Sequence, residues 1–297
     1  MELLDAQVIV TLKGKIISLQ GKSQLKSPQI NTGEISADFT SSLPDNKSQS
    51  RLLLDLTNLN GKTEWFSFQD LSGNFHLDPD KKFSTISTAN VNAKEIVAGV
   101  RFANVKGALS FDLVKKDPIV KFEIKSANVF GGTIKSRPAN YQLGTNTVIP
   151  ISFSKFDLAK ILELYNQESI IGTGILSGSI PIKISSKGIS VTNGSLSAEP
   201  PGGVLKYSSP ALNSEESYKF ALNALRNFHY RTLTAKVDYN DIGKLFLNLN
   251  LQGENPDLNS NQPLNVNLTV EEDIPDLIQS LQLTGSIEEG IQNTLRK

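Results

Sequence analysis

The stretch GTGILSGSIPIKISSKGISVTNGSLSAEPPGGVLKY, residues 172–207, decides the fold class. Its first half places apolar residues at alternate positions: Leu176, Ile180, Ile182 and Ile184. An extended strand points successive side chains to opposite faces, so this pattern predicts a sheet with one apolar and one polar face. Such a face either closes an ordinary β core or stays open as a binding surface for an apolar ligand.

The same alternation recurs along the chain in the segments VKFEIK (120–125), LFLNLNL (245–251) and LNVNLTV (264–270). Strands that are apolar on one side and polar on the other are typical of antiparallel sheets. We therefore predict a mainly β fold with a few short helices.

A weak internal repeat accompanies the strands. An apolar-x-Gly-x-apolar-x-apolar pattern starts at Leu71, Val105 and Leu176, with spacings that are close to one and two periods of about 35 residues. Such a period suggests stacked supersecondary units, although alternating strands in any sheet also produce chance matches. Both interpretations stay open.

Helical patterns are few, and they fall near residues 155–166, 214–228, 275–282 and 286–295. In the pattern near 155–166, Ser154 precedes Asp157 by three residues, which is the spacing of a capping box. An apolar stripe at helical spacing follows. We expect these helices to plug or flank the C-terminal end of the sheet. The segment AEPPGG, residues 198–203, predicts a sharp turn that leads into a strand at Val204.

Composition excludes several functions. The 30 basic and 30 acidic residues cancel, which argues against nucleic-acid binding. The chain has no cysteine, and its two histidines, His76 and His229, lie in dissimilar contexts, so we predict no metal site and no cofactor. No nucleophile motif or catalytic constellation is present, and we expect a protein that is not an enzyme.

No stretch approaches the roughly 20 apolar residues that span a bilayer, and the N-terminus has the pattern of a strand rather than of a signal peptide. We expect the chain to be a fragment of a longer protein. We also expect a segment at 1–120 and a second domain at 121–297, and their sheets are either separate or continuous.

Residues 130–297 resemble the C-terminal region of the YdbH family, which are AsmA-like proteins of the Gram-negative envelope related to TamB and YhdP. The specific motifs lie at 172–207 and 253–268, and ANVFGGTI at 127–134 is also similar to the family. Residues 1–120 resemble the family only in the alternating pattern of their strands.

The resemblance implies an elongated, curled antiparallel sheet that forms an apolar groove, the β-taco of AsmA-like proteins. Phospholipids would move along this groove between the inner and outer membranes. It also implies a periplasmic location, an inner-membrane anchor that this chain lacks, and contact with the inner leaflet of the outer membrane. A small outer-membrane lipoprotein, similar to YnbE, would bind by strand addition.

Two functional hypotheses follow. In the first, inward-facing residues line a groove that conducts lipid; the candidates are Phe75, Leu77, Leu109, Phe111, Val120, Phe122, Ile180, Ile182, Leu247, Leu249, Val266 and Leu268. In the second, the chain is a docking or assembly module whose exposed edge strand binds an outer-membrane lipoprotein or outer-membrane protein. The family's "dicarboxylate transport" label suggests solute binding as a third hypothesis. Binding of a dicarboxylate needs clustered basic side chains, but the arginines of this chain are scattered along the sequence.

Overall fold

The strands form one large antiparallel sheet in the computed structural model. The structure describes residues 2–13, 16–27, 29–42, 50–63, 66–142, 144–165, 170–208, 223–258 and 263–274. Within these ranges the chain has 19 strands, the short α-helix at Leu158–Leu162, two 3-10 helices and further helical residues at 223–225 and 274. The predicted mainly β class is confirmed.

The strands follow one another along the chain, and the helix α1 (Leu158–Leu162) lies between β12 and β13. Their bounds are β1 (Glu2–Lys13), β2 (Ile16–Lys26), β3 (Ile30–Ser42), β4 (Ser50–Lys62), β5 (Ser67–Asp78), β6 (Ser84–Thr85), β7 (Ala89–Ala98), β8 (Val100–Asp112), β9 (Ile119–Val129), β10 (Gly132–Ser136), β11 (Ala139–Gln142), β12 (Thr147–Asp157), β13 (Ile170–Gly172), β14 (Ile175–Ser185), β15 (Gly188–Ala198), β16 (Gly203–Tyr207), β17 (Phe228–Tyr239), β18 (Lys244–Glu254) and β19 (Leu264–Asp273).

The chain divides into two compact units. Unit 1 comprises Met1–Asn128 and Lys135–Thr147, and unit 2 comprises Val129–Ile134 and Val148–Lys297. The boundary expected near residue 120 stays a prediction. In unit 1 the long strands β1 to β5 pair in chain order, and β5, β7, β8 and β9 continue the meander.

Unit 2 is built on the antiparallel series β14, β15, β17, β18 and β19. The short strands β13 and β16 pair with each other, and β16 also pairs with the first residues of β17. The predicted turn before Val204 is confirmed, because Gly202 N–H donates to Glu199 C=O at 3.0 Å and Gly202 adopts φ +99°.

The helix α1 lies inside the predicted range 155–166, but its cap differs from the prediction. Asp157 is the N-cap, with extended backbone, and its Oδ1 accepts a hydrogen bond from Ala159 N–H at 3.0 Å. Ser154 belongs to β12, which continues to Asp157 because its residues are still paired in the sheet. The capping-box interpretation was therefore wrong by three residues.

The second predicted helix, at 214–228, is only partly within the described residues. Residues 223–225 are helical, and Phe228 is the first residue of β17 rather than the end of a helix. Phe228 is fully buried in the core of unit 2, and this burial outweighs the helical spacing that its neighbours suggest. The helices predicted at 275–282 and 286–295 lie outside the described residues.

Candidate functional site

The strands of unit 2 present one continuous apolar face, which we call the unit-2 apolar face; it comprises the inward residues of β14, β15, β17, β18 and β19. Residues that pair directly across an antiparallel sheet share a face. Leu249 on β18 lies opposite Ala235 and Leu268, and the next row joins Leu247 to Val237 and Val270. Alternation in the sequence thus becomes apolar rows that run across the sheet.

A bulge keeps β14 and β15 in phase on this face. Ser179 pairs with Ser195, but Ile182 pairs with Val191, so β15 has one extra residue between the two pairs. Asn193 lies in this interval with φ +58°, in the left-handed region that asparagine tolerates better than most residues. The extra residue leaves Val191 on the apolar face beside Ile182.

One end of the unit-2 apolar face is filled by protein. Side chains from several elements meet there and are at most 8% exposed: Phe153, Leu158, Leu176, Leu225, Phe228, Tyr230, Leu233, Leu251 and Val266. The rings of Phe153 and Phe156 stack with their centroids 4.6 Å apart. Gly178 makes room for this packing, because a Cβ at residue 178 would overlap the Phe153 ring.

The other rows of the unit-2 apolar face combine buried residues of β15 and β17, namely Val191, Ala235 and Val237, with half-buried side chains on the other strands. We call these half-buried apolar residues the accessible strip. Five of the residues that the sequence nominated lie in it: Ile180, Ile182, Leu247, Leu249 and Leu268. The sixth, Val266, is 8% exposed and belongs to the filled end. The face therefore changes along the strands from a closed core to a set of apolar side chains that are only partly buried.

Unit 1 has an apolar face of its own. Leu109 pairs with Phe122 and Phe111 pairs with Val120 across β8 and β9. The rings of Phe75 and Phe111 lie 6.3 Å apart, which joins β5 to β8 on this side. All six nominated residues of unit 1 thus share one face; Phe75 and Leu77 are buried, and the other four are half-buried.

Sequence reasoning missed part of both faces. In unit 1, Leu52 and Leu54 lie opposite Leu77 and Phe75 and extend the face onto β4. The segment RLLLDL, residues 51–56, carries the signal, since Leu52, Leu54 and Leu56 alternate, but Leu53 on the other face obscures it. In unit 2 the alternation of Leu233, Ala235 and Val237 extends the apolar face onto β17, and this pattern is visible in the sequence.

The opposite face of unit 2 is polar and concave. A cavity of about 790 Å³ lies over β14, β15, β17, β18 and β19, and Lys236 is the one charged residue that lines it. Asn250 Nδ2 donates to the Oδ1 atoms of Asn265 and Asn267 at 2.7 and 2.8 Å, which ties β18 to β19. The residues of the intervening row, Leu196, Ala235, Leu249 and Leu268, also line this cavity.

The chemistry-bearing side chains of the described residues do not form a catalytic or metal constellation. No group of three or more metal-ligating side chains occurs in the part of the chain that the structure describes. His229 Nε2 lies 3.2 Å from Asn227 Oδ1 on the surface, and His76 is exposed. The hydrogen bond between Lys244 and Glu271 raises the pKa of that lysine, and burial raises the pKa of Tyr230 to about 12.

None of the helices in the described ranges has the length and hydropathy of a segment that crosses a membrane. No curated protein and no solved structure matches the chain. A family model does match it, from residue 5 to residue 296, and its description is "YdbH-like: Intermembrane phospholipid transport protein YdbH". The match extends the resemblance seen at 130–297 to nearly the whole chain, including the N-terminal strands. The chain therefore belongs to the YdbH-like family, which is a family of intermembrane phospholipid transport proteins.

Proposed function

We propose that this chain conducts phospholipids along its apolar faces in the periplasm, as the outer-membrane part of an envelope-spanning transfer protein. The single observation that carries the proposal is the accessible strip of unit 2. Leu247, Leu249 and Leu268 are only partly buried, although Leu233 and Leu251 on the same face are buried. A sheet that served only as a core would cover both sets.

The energetics favour such a surface. Each methylene that is moved into water costs about 0.8 kcal/mol, so an acyl chain of about sixteen carbons would cost on the order of 13 kcal/mol to expose. Contact with a strip of partly exposed leucine and isoleucine side chains would replace part of that water contact with apolar contact. Passive transfer along a strip needs no catalytic group and no cofactor.

The test compares two neighbouring residues of β18 that lie on opposite faces. Leu249→Glu places a charge in the accessible strip, and Asn248→Glu places the same charge on the polar face. Lipid that co-purifies with each protein is extracted and quantified by mass spectrometry, and circular dichroism verifies folding. We expect Leu249→Glu to lose most of the bound phospholipid and Asn248→Glu to keep it. No phospholipid on the unmodified protein, or equal amounts on both variants, would overturn the proposal.

A second candidate function is docking of a small outer-membrane lipoprotein, similar to YnbE, by strand addition. Among the described strands, β19 pairs with β18 and with no strand on its other side. Such an edge offers backbone groups that can template another strand. Photo-crosslinkers at Asn265 and Thr269 of β19 should capture the purified lipoprotein, whereas one at Ser195 of β15 should not. Equal capture from both strands would exclude docking at this edge.

A further inference from the structure

The unit-2 apolar face ends in one charged residue. Glu272 on β19 pairs with Leu245 on β18, and Leu245 pairs with Tyr239 on β17, so these three side chains form a row of the apolar face. Among the described residues of β14, β15, β17, β18 and β19 on that face, Glu272 is the only one that carries a charge. The preceding row, which contains Leu247 and Val270, is wholly apolar.

The charges on either side of Glu272 in sequence lie on the polar face. Glu271 pairs with Phe246 there, and its Oε1 accepts a hydrogen bond from Lys244 Nζ at 2.7 Å. Glu272 is half-buried and has no hydrogen bond or ion pair with any described residue. A carboxylate forms a charge-assisted hydrogen bond with an ammonium, and such bonds are stronger than neutral ones. Glu272 is therefore available to a ligand in a way that Glu271 is not.

Tyr239 adds a second polar group to the same row. Its side chain is half-buried, and its hydroxyl has no partner among the described residues. The accessible strip thus has an apolar stretch, Leu247 to Leu249, with a phenol and a carboxylate at one end and the filled core near Leu251 at the other. This arrangement matches an amphiphile whose tail lies towards Leu251 and whose head lies at Glu272.

We propose that Glu272 and Tyr239 bind the headgroup of a phospholipid that carries a primary ammonium, as phosphatidylethanolamine does. An ammonium has three donors and no acceptor, which suits a carboxylate and a phenol oxygen as partners. A headgroup with only hydroxyls, such as phosphatidylglycerol, leaves the carboxylate uncompensated and brings a net negative charge close to it. This inference rests on the proposed function, because the tail must occupy the accessible strip.

The experiment offers the purified protein equal amounts of phosphatidylethanolamine and phosphatidylglycerol with identical acyl chains. Native mass spectrometry then measures the ratio of the two bound lipids. We expect about a threefold to tenfold preference for the ethanolamine lipid, which is the range for one charge-assisted hydrogen bond at a partly exposed site. Glu272→Gln should bring the ratio close to one with the total bound lipid unchanged, and Glu272→Asp should restore part of the preference. Glu271→Gln is the matched control, since it removes the neighbouring carboxylate from the polar face.

The outcomes separate the two proposals. Absence of any bound phospholipid would overturn the proposed function and this inference together. Binding of both lipids without preference, or an equal loss of preference in Glu271→Gln and Glu272→Gln, would overturn the headgroup site alone. An inward-pointing charge on an edge strand can also prevent pairing with the edge strand of another molecule. If Glu272→Gln caused self-association and left the lipid ratio unchanged, Glu272 would protect the sheet edge rather than bind a headgroup. Free O-phosphoethanolamine should not displace the bound lipid. Displacement by it would mean that the headgroup binds without an acyl tail, which contradicts the proposed arrangement.

Discussion

The hydroxyl of Tyr230 donates a hydrogen bond of 2.6 Å to the backbone carbonyl of Thr173. Tyr230 is 2% exposed on β17, and Thr173 lies between β13 and β14. Gly174 and Gly203 leave space for this contact, since a Cβ on either would overlap the Tyr230 hydroxyl oxygen, and a Cβ on Gly202 would overlap the Tyr230 backbone carbonyl oxygen. The tyrosine and the glycine-rich turn that the sequence singled out are therefore one packing unit at the filled end of unit 2.

Replacing Tyr230 with phenylalanine should lower the free energy of unfolding by about 1 kcal/mol. The ring keeps its apolar packing, but the carbonyl of Thr173 loses a buried donor. Urea denaturation followed by circular dichroism measures the change. Tyr141→Phe, at a half-buried position of β11, is the control and should stay within about 0.5 kcal/mol of the unmodified protein. An equal effect of the two substitutions would contradict the importance of this hydrogen bond.

Stability should also fall at high pH because of the same tyrosine. Burial raises its pKa from 10.0 to about 12, so the unfolded chain releases the phenol proton at a lower pH than the folded protein. The contribution is therefore complete below pH 10 and is lost as the pH rises to about 12. Denaturation midpoints from pH 8 to 12 test this. Tyr230→Phe should show a shallower decline over that interval, and an identical decline would refute the assignment.

Gly203→Ala should be among the most damaging single-methyl additions in unit 2. The new Cβ would overlap the Thr173 carbonyl oxygen, which is backbone and has no rotamer that can move it away. We expect a loss of about 1–3 kcal/mol, the usual range for overpacking. Gly107→Ala is a suitable comparison, because its nearest atom, Glu123 O, lies 3.1 Å from the added Cβ and has only to shift slightly. A larger effect at residue 107 than at residue 203 would count against this account.

The division into faces was predictable because it depends only on strand geometry. Leu249 and Leu268 are each flanked by polar residues, and an extended chain must place them on one side of the sheet. The division into a filled end and an accessible strip was not predictable. It depends on Phe153 and Phe228, which come from β12 and β17 and meet only after folding. Periodicity contains no information about such long-range contacts.

Bulges and caps set the second limit on prediction. The extra residue of β15 near Asn193 keeps Val191 buried, although strict alternation from Leu196 would put it on the polar face. Ser154 and Asp157 are both good capping residues, so the choice between them depends on where β12 stops pairing. Local sequence offers alternatives of similar free energy in both cases, and tertiary pairing selects one of them.

The capping assignment can be tested directly. Asp157→Ala removes the carboxylate that accepts from Ala159 N–H, and it should destabilise the protein by about 1 kcal/mol. Ser154→Ala changes an exposed residue of β12 and should have an effect within about 0.5 kcal/mol. Thermal denaturation of the two variants gives the comparison. A larger loss from Ser154→Ala would support the capping box that the sequence suggested.

Photo-crosslinking along β18 should show where lipid has access. An unnatural amino acid with a diazirine is placed at Leu247, Leu249 or Leu251, which lie on the same face at successive rows. Leu247 and Leu249 are partly exposed, whereas Leu251 is fully buried against the filled core. We expect phospholipid adducts from the first two positions and none from the third, as measured by mass spectrometry of the purified protein. Asn248, on the polar face between them, is the matched control for random collisions with lipid. Adducts at all four positions in similar yield would mean that the apolar face has no selective contact with lipid, and adducts confined to residue 251 would mean that the filled end, rather than the strip, opens to the ligand.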